Sequence, residues 1–103
     1  MPTQRELELI VLRAFCQGII NGPAREWGQR MLKSYAWREP IHEAVFEIIV
    51  SVPERKWKLL ADLVPARLTR RGFPDFNFQE LFEVSAPPLD RVEAAIQQLT
   101  QKS

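Results

Sequence analysis

The 103-residue sequence is poor in the residues that most often mark a function: it has one cysteine, one histidine and four glycines. One cysteine, Cys16, cannot form an internal disulfide, and one histidine, His42, cannot supply a His-rich metal site. The 14 Lys and Arg residues nearly balance the 13 Asp and Glu residues, which leaves a net charge of +1. That charge gives the whole molecule no field with which to hold nucleic acid or an anionic membrane.

Long apolar runs are also missing. A run such as Ile48-Ile49-Val50 is far too short to span a bilayer. The first residues, Met1 to Glu6, lead directly into a charged pattern without the apolar core and cleavage site of a signal peptide. Cys16 lies in an apolar pattern, where an unpaired thiol behaves as a small hydrophobe. We therefore expect a protein without membrane attachment in the reducing cytoplasm.

The sequence does contain helical periodicity between punctuating prolines and glycines. Thr3 and Glu6 form a capping box that predicts the first helix. Proline suits the first turn of a helix, and a glycine or a proline after a helical pattern predicts its end. These signals predict helix starts at Thr3, Pro23, Pro40, Pro53, Asn77 and Pro88, and breaks at Asn21-Gly22-Pro23, Pro65 and Gly72. No segment alternates with a period of two, so we predict one all-α domain over residues 1–103, a compact bundle of five or six short helices without a sheet.

Two apolar stripes decide the expected packing. The third predicted helix has the strongest stripe and is expected to be the central core helix, with Ile41, Ala44, Val45, Ile48, Ile49 and Val52. On the first helix, Leu9, Leu12 and Ile19 widen the stripe, which predicts contacts on more than one side. We therefore expect an exposed apolar strip for a partner, formed by Leu9, Leu12 and Phe15 with Trp37 beside it.

Catalytic and metal-binding patterns are weak. Glu39-x-x-His42 with Glu43 and Glu47 superficially fits a carboxylate-bridged metal bundle, but such a site needs a second Glu-x-x-His pair. We expect a solvated polar face there and no metal. Cys16 would need a base, and the sequence has no glycine-rich phosphate loop. These observations predict a protein that is not an enzyme and has no cofactor.

The arginines and tryptophans each leave an alternative open. Arg67, Arg70 and Arg71 would contact phosphates in a nucleic-acid complex, with Lys56 and Lys58 extending the patch. The favoured interpretation is that they complement a helix C-terminus and stay solvated. Trp37 either plugs the junction between the second and third helices or stands exposed as an anchor, with the plug favoured. Trp27 and Trp57 are expected in the core; a ligand-binding bundle that they and Phe46 would line is a third function.

The junction of the second and third predicted helices carries a family resemblance. An aromatic residue, a proline-containing turn and a histidine precede an apolar pair and a glutamate: Trp37, Pro40, His42, Val45, Phe46 and Glu47. This pattern resembles the N-terminal helical domain of bacterial replicative DNA helicases. The related helicase-binding domain of bacterial primases shares the helical architecture. The resemblance covers residues 5–82, in which Leu63-Val64, Leu68, Gly72 and Leu81-Phe82 fit the later helices.

The helicase carries a nucleotide-binding motor after this domain, and the primase domain is attached to a polymerase. The 103 residues contain neither, so the resemblance implies an interaction module rather than an unwinding activity. We therefore expect a non-enzymatic module for protein–protein interaction, linked through the resemblance to DNA replication. Its partner would be another protein or a second copy of the chain, as in a homodimer. The alternative is a small DNA-binding helical domain that uses Arg67, Arg70 and Arg71.

Overall fold

Among the residues that the structure describes, six α-helices make up most of the fold. The computed structural model describes residues 2–101, and among these residues it contains no β-strand, which confirms the all-α prediction. The radius of gyration of 12.6 Å is that of a compact globule of about 100 residues. The helices are α1 (Gln4–Cys16), α2 (Gly22–Leu32), α3 (Pro40–Ser51), α4 (Leu60–Arg70), α5 (Phe78–Phe82) and α6 (Leu89–Thr100), and a 3₁₀ segment, Glu54–Leu59, precedes α4.

The expected capping residues set the helix starts. The Thr3 hydroxyl accepts a hydrogen bond of 3.1 Å from the Glu6 amide, and the Asn77 side chain accepts from the amides of Gln79 and Glu80. Proline occupies the first turn of α2 and of α3, where its missing amide hydrogen is not needed. At the other end of α4, Gly72 has a φ of +91° and the Phe73 amide donates to the Leu68 carbonyl. This is the predicted glycine cap.

Three predicted boundaries are wrong. Helix α4 begins at Leu60 and not at Pro53, because the residues between them form the 3₁₀ segment. Helix α1 ends at Cys16 and not at Asn21, because Gly18 takes a left-handed φ of +72° and the Ile19 amide then donates to the Ala14 carbonyl. Pro65 lies inside α4 and does not interrupt it. Loss of one backbone hydrogen bond is tolerated there because the fully buried side chains of Leu60, Val64 and Leu68 anchor the helix along its whole length.

The central helix is α1, so the prediction that the third helix, α3, is the central core helix is wrong. Helix α1 packs against α3, α5, α6 and the 3₁₀ segment, whereas α3 packs mainly against α4 and α1. The wide apolar stripe of α1 is therefore covered within the molecule itself. The α3 stripe is also buried as expected, apart from Ile41, which is half-buried.

Helix α2 packs mainly on α6, and this placement creates the open groove described below. Gly28 allows the close approach: a Cβ atom added there would lie 3.2 Å from Cδ1 of Ile96 on α6. Among residues 2–101, no helix has both the length and the apolar character that are needed to cross a bilayer.

Candidate functional site

An open groove of about 640 Å³ lies between α2 and α3, and we call it the α2–α3 groove. Helix α3 lines it with residues spaced i, i+3, i+4 and i+7, which form one continuous face of a helix, and α2 lines it with residues of its last two turns and the residue that follows them. The rims are charged, whereas the deeper surface is aromatic and aliphatic. Helix α2 contributes Glu26, Gln29, Arg30, Leu32 and Lys33, helix α3 contributes Glu43, Phe46, Glu47 and Val50, and the connecting segment contributes Tyr35 and Trp37.

Three aromatic rings connect this groove to the core. The Trp37 ring lies 5.0 Å from the ring of Tyr35 and 5.2 Å from the ring of Phe46, between centroids. Phe46 in turn makes an edge-to-face contact with the buried ring of Phe15 at 6.0 Å. Trp37 is half-buried, so it covers part of the core and also lines the groove.

The segment that carries Trp37 is held by a buried carboxylate, Glu8 of α1, which is 0% exposed. Glu8 Oε2 accepts hydrogen bonds from the Tyr35 hydroxyl at 2.6 Å and from the Arg38 amide at 2.7 Å. Glu8 Oε1 lies 2.8 Å from His42 Nδ1. These contacts join α1, the α2–α3 connection and α3 at one point, which we call the Glu8 network.

The Glu8 network fixes the shape of the groove floor. The Gln4 side-chain amide donates to the Tyr35 hydroxyl at 2.6 Å, so this hydroxyl in turn donates to Glu8. Burial, assisted by the hydrogen bond to Glu8 and the charge of Glu8, raises the pKa of Tyr35 to about 12. Tyr35 therefore stays protonated at physiological pH and keeps its hydrogen bond to the carboxylate.

Sequence reasoning missed Glu8 and misplaced His42. The prediction put His42 on a solvated face, but it is only 4% exposed, because Glu8 gives its imidazole a buried partner. A signal was present: Glu8 shares helical phase with Val11, Leu12 and Phe15, at i+3, i+4 and i+7. A charged residue in the middle of a buried stripe requires an equally buried partner.

Three of the four residues predicted to bind a partner lie in the core, so the exposed strip on the first helix is wrong. Leu9 is 5% exposed, and Leu12 and Phe15 are 0% exposed. The physical reason is that other elements of the same chain cover α1 on several sides. Only Trp37 of the predicted set lines the groove. Trp27 and Trp57 pack against the core as expected.

The predicted arginine cluster is partly engaged with α3. Arg71 forms an ion pair of 2.8 Å with Glu47, and Arg67 donates to the Ser51 hydroxyl at 2.8 Å. Arg70 is exposed at the end of α4. The expectation that these arginines stay solvated therefore holds for Arg70 and Arg71, whereas Arg67 is half-buried and contacts α3.

The remaining chemical candidates are dispersed. Glu39 forms an ion pair with Arg5 at 3.5 Å, away from the buried His42. Within residues 2–101, no group of three or more His, Cys, Asp or Glu side chains is arranged to hold a metal ion. Burial raises the pKa of the Cys16 thiol to about 12, although the charge of Arg25 opposes this shift.

Comparisons of the chain with protein-family models, with curated proteins and with solved structures find no match. The resemblance of the Trp37–Glu47 junction to helicase and primase domains therefore stays a prediction.

Proposed function

We propose that this protein is a non-enzymatic protein–protein interaction module that binds an amphipathic helix of another protein in the α2–α3 groove. The observation that carries the proposal is an open groove walled by two helices, α2 and α3, that is also lined by the Trp37 ring. Side chains on neighbouring helices form the ridges and grooves against which a third helix packs. An apolar helix face in a groove is a recurrent mode of peptide recognition.

The charges on the walls specify the chemistry of the partner helix. On the α2 side Arg30 and Lys33 accompany Glu26, and on the α3 side Glu43 is accompanied by Glu47, which is paired with Arg71. A complementary helix has an apolar central stripe, acidic residues that face Arg30 and Lys33, and a basic residue that faces Glu43. Such complementarity selects partners and fixes their orientation more than it adds affinity.

A second copy of the chain fits the groove less well than a different protein. The exposed large hydrophobic side chains of the described residues do not form a helical stripe, since each lies on a different element: Ile19, Met31, Val50, Leu59, Phe78 and Val84. A copy could therefore offer the groove only single apolar side chains. The resemblance to the helicase domain supports a partner from DNA replication.

A capture experiment with matched variants tests the proposal. Val50 lines the groove and is 48% exposed, and Val84, outside the groove, is 46% exposed. We expect wild-type protein and the Val84→Lys variant to capture the same protein from a lysate of the native host, and the Val50→Lys variant to lose it. Equal capture by both variants would contradict the proposal.

The alternative function, DNA binding through Arg67, Arg70 and Arg71, has less support because two of these side chains engage α3. A gel-shift assay over a range of salt concentrations distinguishes it, since phosphate contacts weaken steeply with salt. DNA binding that is lost in an Arg70→Ala, Arg71→Ala variant would favour the alternative.

A further inference from the structure

A second cavity, of about 300 Å³, is lined by His42. It is bounded by α1, α3, α5 and the segment that leads into α5, and we call it the His42 pocket. Its apolar surface includes Leu9, Ile41 and Phe76, and its polar groups include Arg5, His42, Asp75 and Glu80. A volume of this size lies at the lower end of the range for small-molecule sites.

The buried imidazole of His42 is oriented by Glu8. The Glu8 oxygen Oε2 already accepts two hydrogen bonds, from Tyr35 and from the Arg38 amide, so this carboxyl group acts as an acceptor. His42 Nδ1 therefore donates its hydrogen to Oε1 at 2.8 Å. The other nitrogen, Nε2, then has a free lone pair in the neutral imidazole.

That second nitrogen is available to a ligand. Nε2 has no hydrogen bond to the described residues, and it is not completely enclosed by protein atoms. His42 is only 4% exposed, and the cavity is the open space that it lines. A polar side chain that is more than nine-tenths buried thus turns a free acceptor toward a cavity.

The charged groups around the pocket favour a cation. Arg5 is occupied, since it forms ion pairs with Glu80 at 3.3 Å and with Glu39 at 3.5 Å. Asp75 has no ion-pair partner among residues 2–101 and lines the same pocket. The Phe76 ring adds a surface that accepts either an alkyl chain or a cation.

We propose that the His42 pocket binds a small aliphatic ammonium ligand. Its N–H groups donate to His42 Nε2 and to the Asp75 carboxylate, and its alkyl part packs against the half-buried side chains of Ile41 and Phe76. This site is separate from the α2–α3 groove, so it stands whether or not the groove binds a helix.

Nuclear magnetic resonance tests this inference directly, because His42 is the only histidine in the chain and its ring nitrogens give unambiguous signals. The probe is n-butylammonium, compared with n-butanol and n-butyrate at the same concentrations. We expect a saturable shift of the Nε2 signal with n-butylammonium, and binding about tenfold weaker in the Asp75→Asn variant.

The matched probes and variants also define the results that would contradict the inference. No saturable shift with n-butylammonium, or an equal response to n-butanol or n-butyrate, would overturn the inference. An unchanged affinity in Asp75→Asn would do the same. Asp75 is exposed, so its variant is expected to fold, and an Asp90→Asn variant, exposed on α6, is the control that should bind like wild type.

Discussion

A single carboxylate decides much of the local geometry of this protein. Glu8 is fully buried, and it connects Tyr35, Arg38 and His42, which sequence periodicity assigns to separate segments. Periodicity shows where a helix turns its apolar face, but it does not show which distant polar groups meet a charge inside that face. Glu8 could therefore be found from its helical phase, whereas its partners could not.

Replacement of Glu8 tests the network at the residue scale. Removal of the carboxylate leaves three buried hydrogen-bonding groups without their partner, on Tyr35, Arg38 and His42, so we expect Glu8→Ala to lower the free energy of unfolding by about 3 kcal/mol or more. Glu6→Ala is the control in the same helix turn, where the side chain is exposed and the expected loss is below about 1 kcal/mol. Urea unfolding measures both. Similar losses for the two variants would contradict the role given to Glu8.

Arg25 is a second buried charge, with an unusual lack of partners. It is 3% exposed, its two terminal nitrogens have no hydrogen bond within residues 2–101, and its guanidinium lies 5.2 Å from the centre of the Phe15 ring. Burial lowers the pKa of Arg25, with the charge of Glu54 opposing the shift.

We expect Arg25→Met to stabilise the protein by about 1–4 kcal/mol, because an apolar side chain avoids the desolvation of the charge. Thermal unfolding measures the stability of this variant relative to wild type, and Arg91→Met on the exposed face of α6 is the control. A destabilised Arg25→Met variant would show that the charge is needed.

The buried thiol of Cys16 makes the stability of the protein depend on pH in the alkaline range. Its folded-state pKa of about 12 is above the ordinary value of 9.0, so the unfolded chain loses the thiol proton first as the pH rises. The contribution of this proton to stability is complete below pH 9.0 and is lost progressively between pH 9.0 and about 12. We expect the free energy of unfolding to fall over this range more steeply in wild type than in Cys16→Ala. Parallel pH profiles would refute this assignment.

At the scale of the elements, proline and asparagine signals predicted most helix starts, because each acts through its own local geometry. The end of α1 was missed because Gly18 continues the helical spacing of the apolar stripe, and a helix can tolerate an isolated glycine. What ends the helix is the left-handed φ of Gly18 together with the Trp57 ring that packs on it from the 3₁₀ segment. That ring is a tertiary contact, which no local pattern contains.

Gly18 and Gly22 form a matched pair that separates backbone strain from packing. Both have positive φ, +72° and +56°, but a Cβ atom at Gly18 would lie 2.7 Å from the Trp57 ring, whereas one at Gly22 would meet nothing within 4 Å. We expect Gly22→Ala to cost about 1–2 kcal/mol from the backbone alone, and Gly18→Ala to cost at least about 1 kcal/mol more from the clash. Chemical denaturation compares the two. Equal losses would mean that Trp57 yields without a penalty.

At the scale of the whole molecule, the all-α class could be predicted from the sequence, but the central helix could not. A wide stripe on α1 is compatible with a partner or with coverage by the chain itself, and only the packing distinguishes the two. The chain covers α1 and leaves the gap between α2 and α3, since α2 leans on α6. Trp37 was singled out because it lies between helices, and it lines the groove for the same reason.

The central claim is that the α2–α3 groove is the surface that binds another protein. Photo-crosslinking tests it most directly, with a benzophenone amino acid placed at Val50 in the groove or at the equally exposed Val84 outside it. Irradiation in the native host is followed by mass analysis of the covalent products. We expect one discrete product with a different protein from position 50, none from position 84, and loss of the product when Arg30 and Lys33 are changed to Glu. The same products from both positions, or a product from position 50 with twice the mass of the chain, would contradict it.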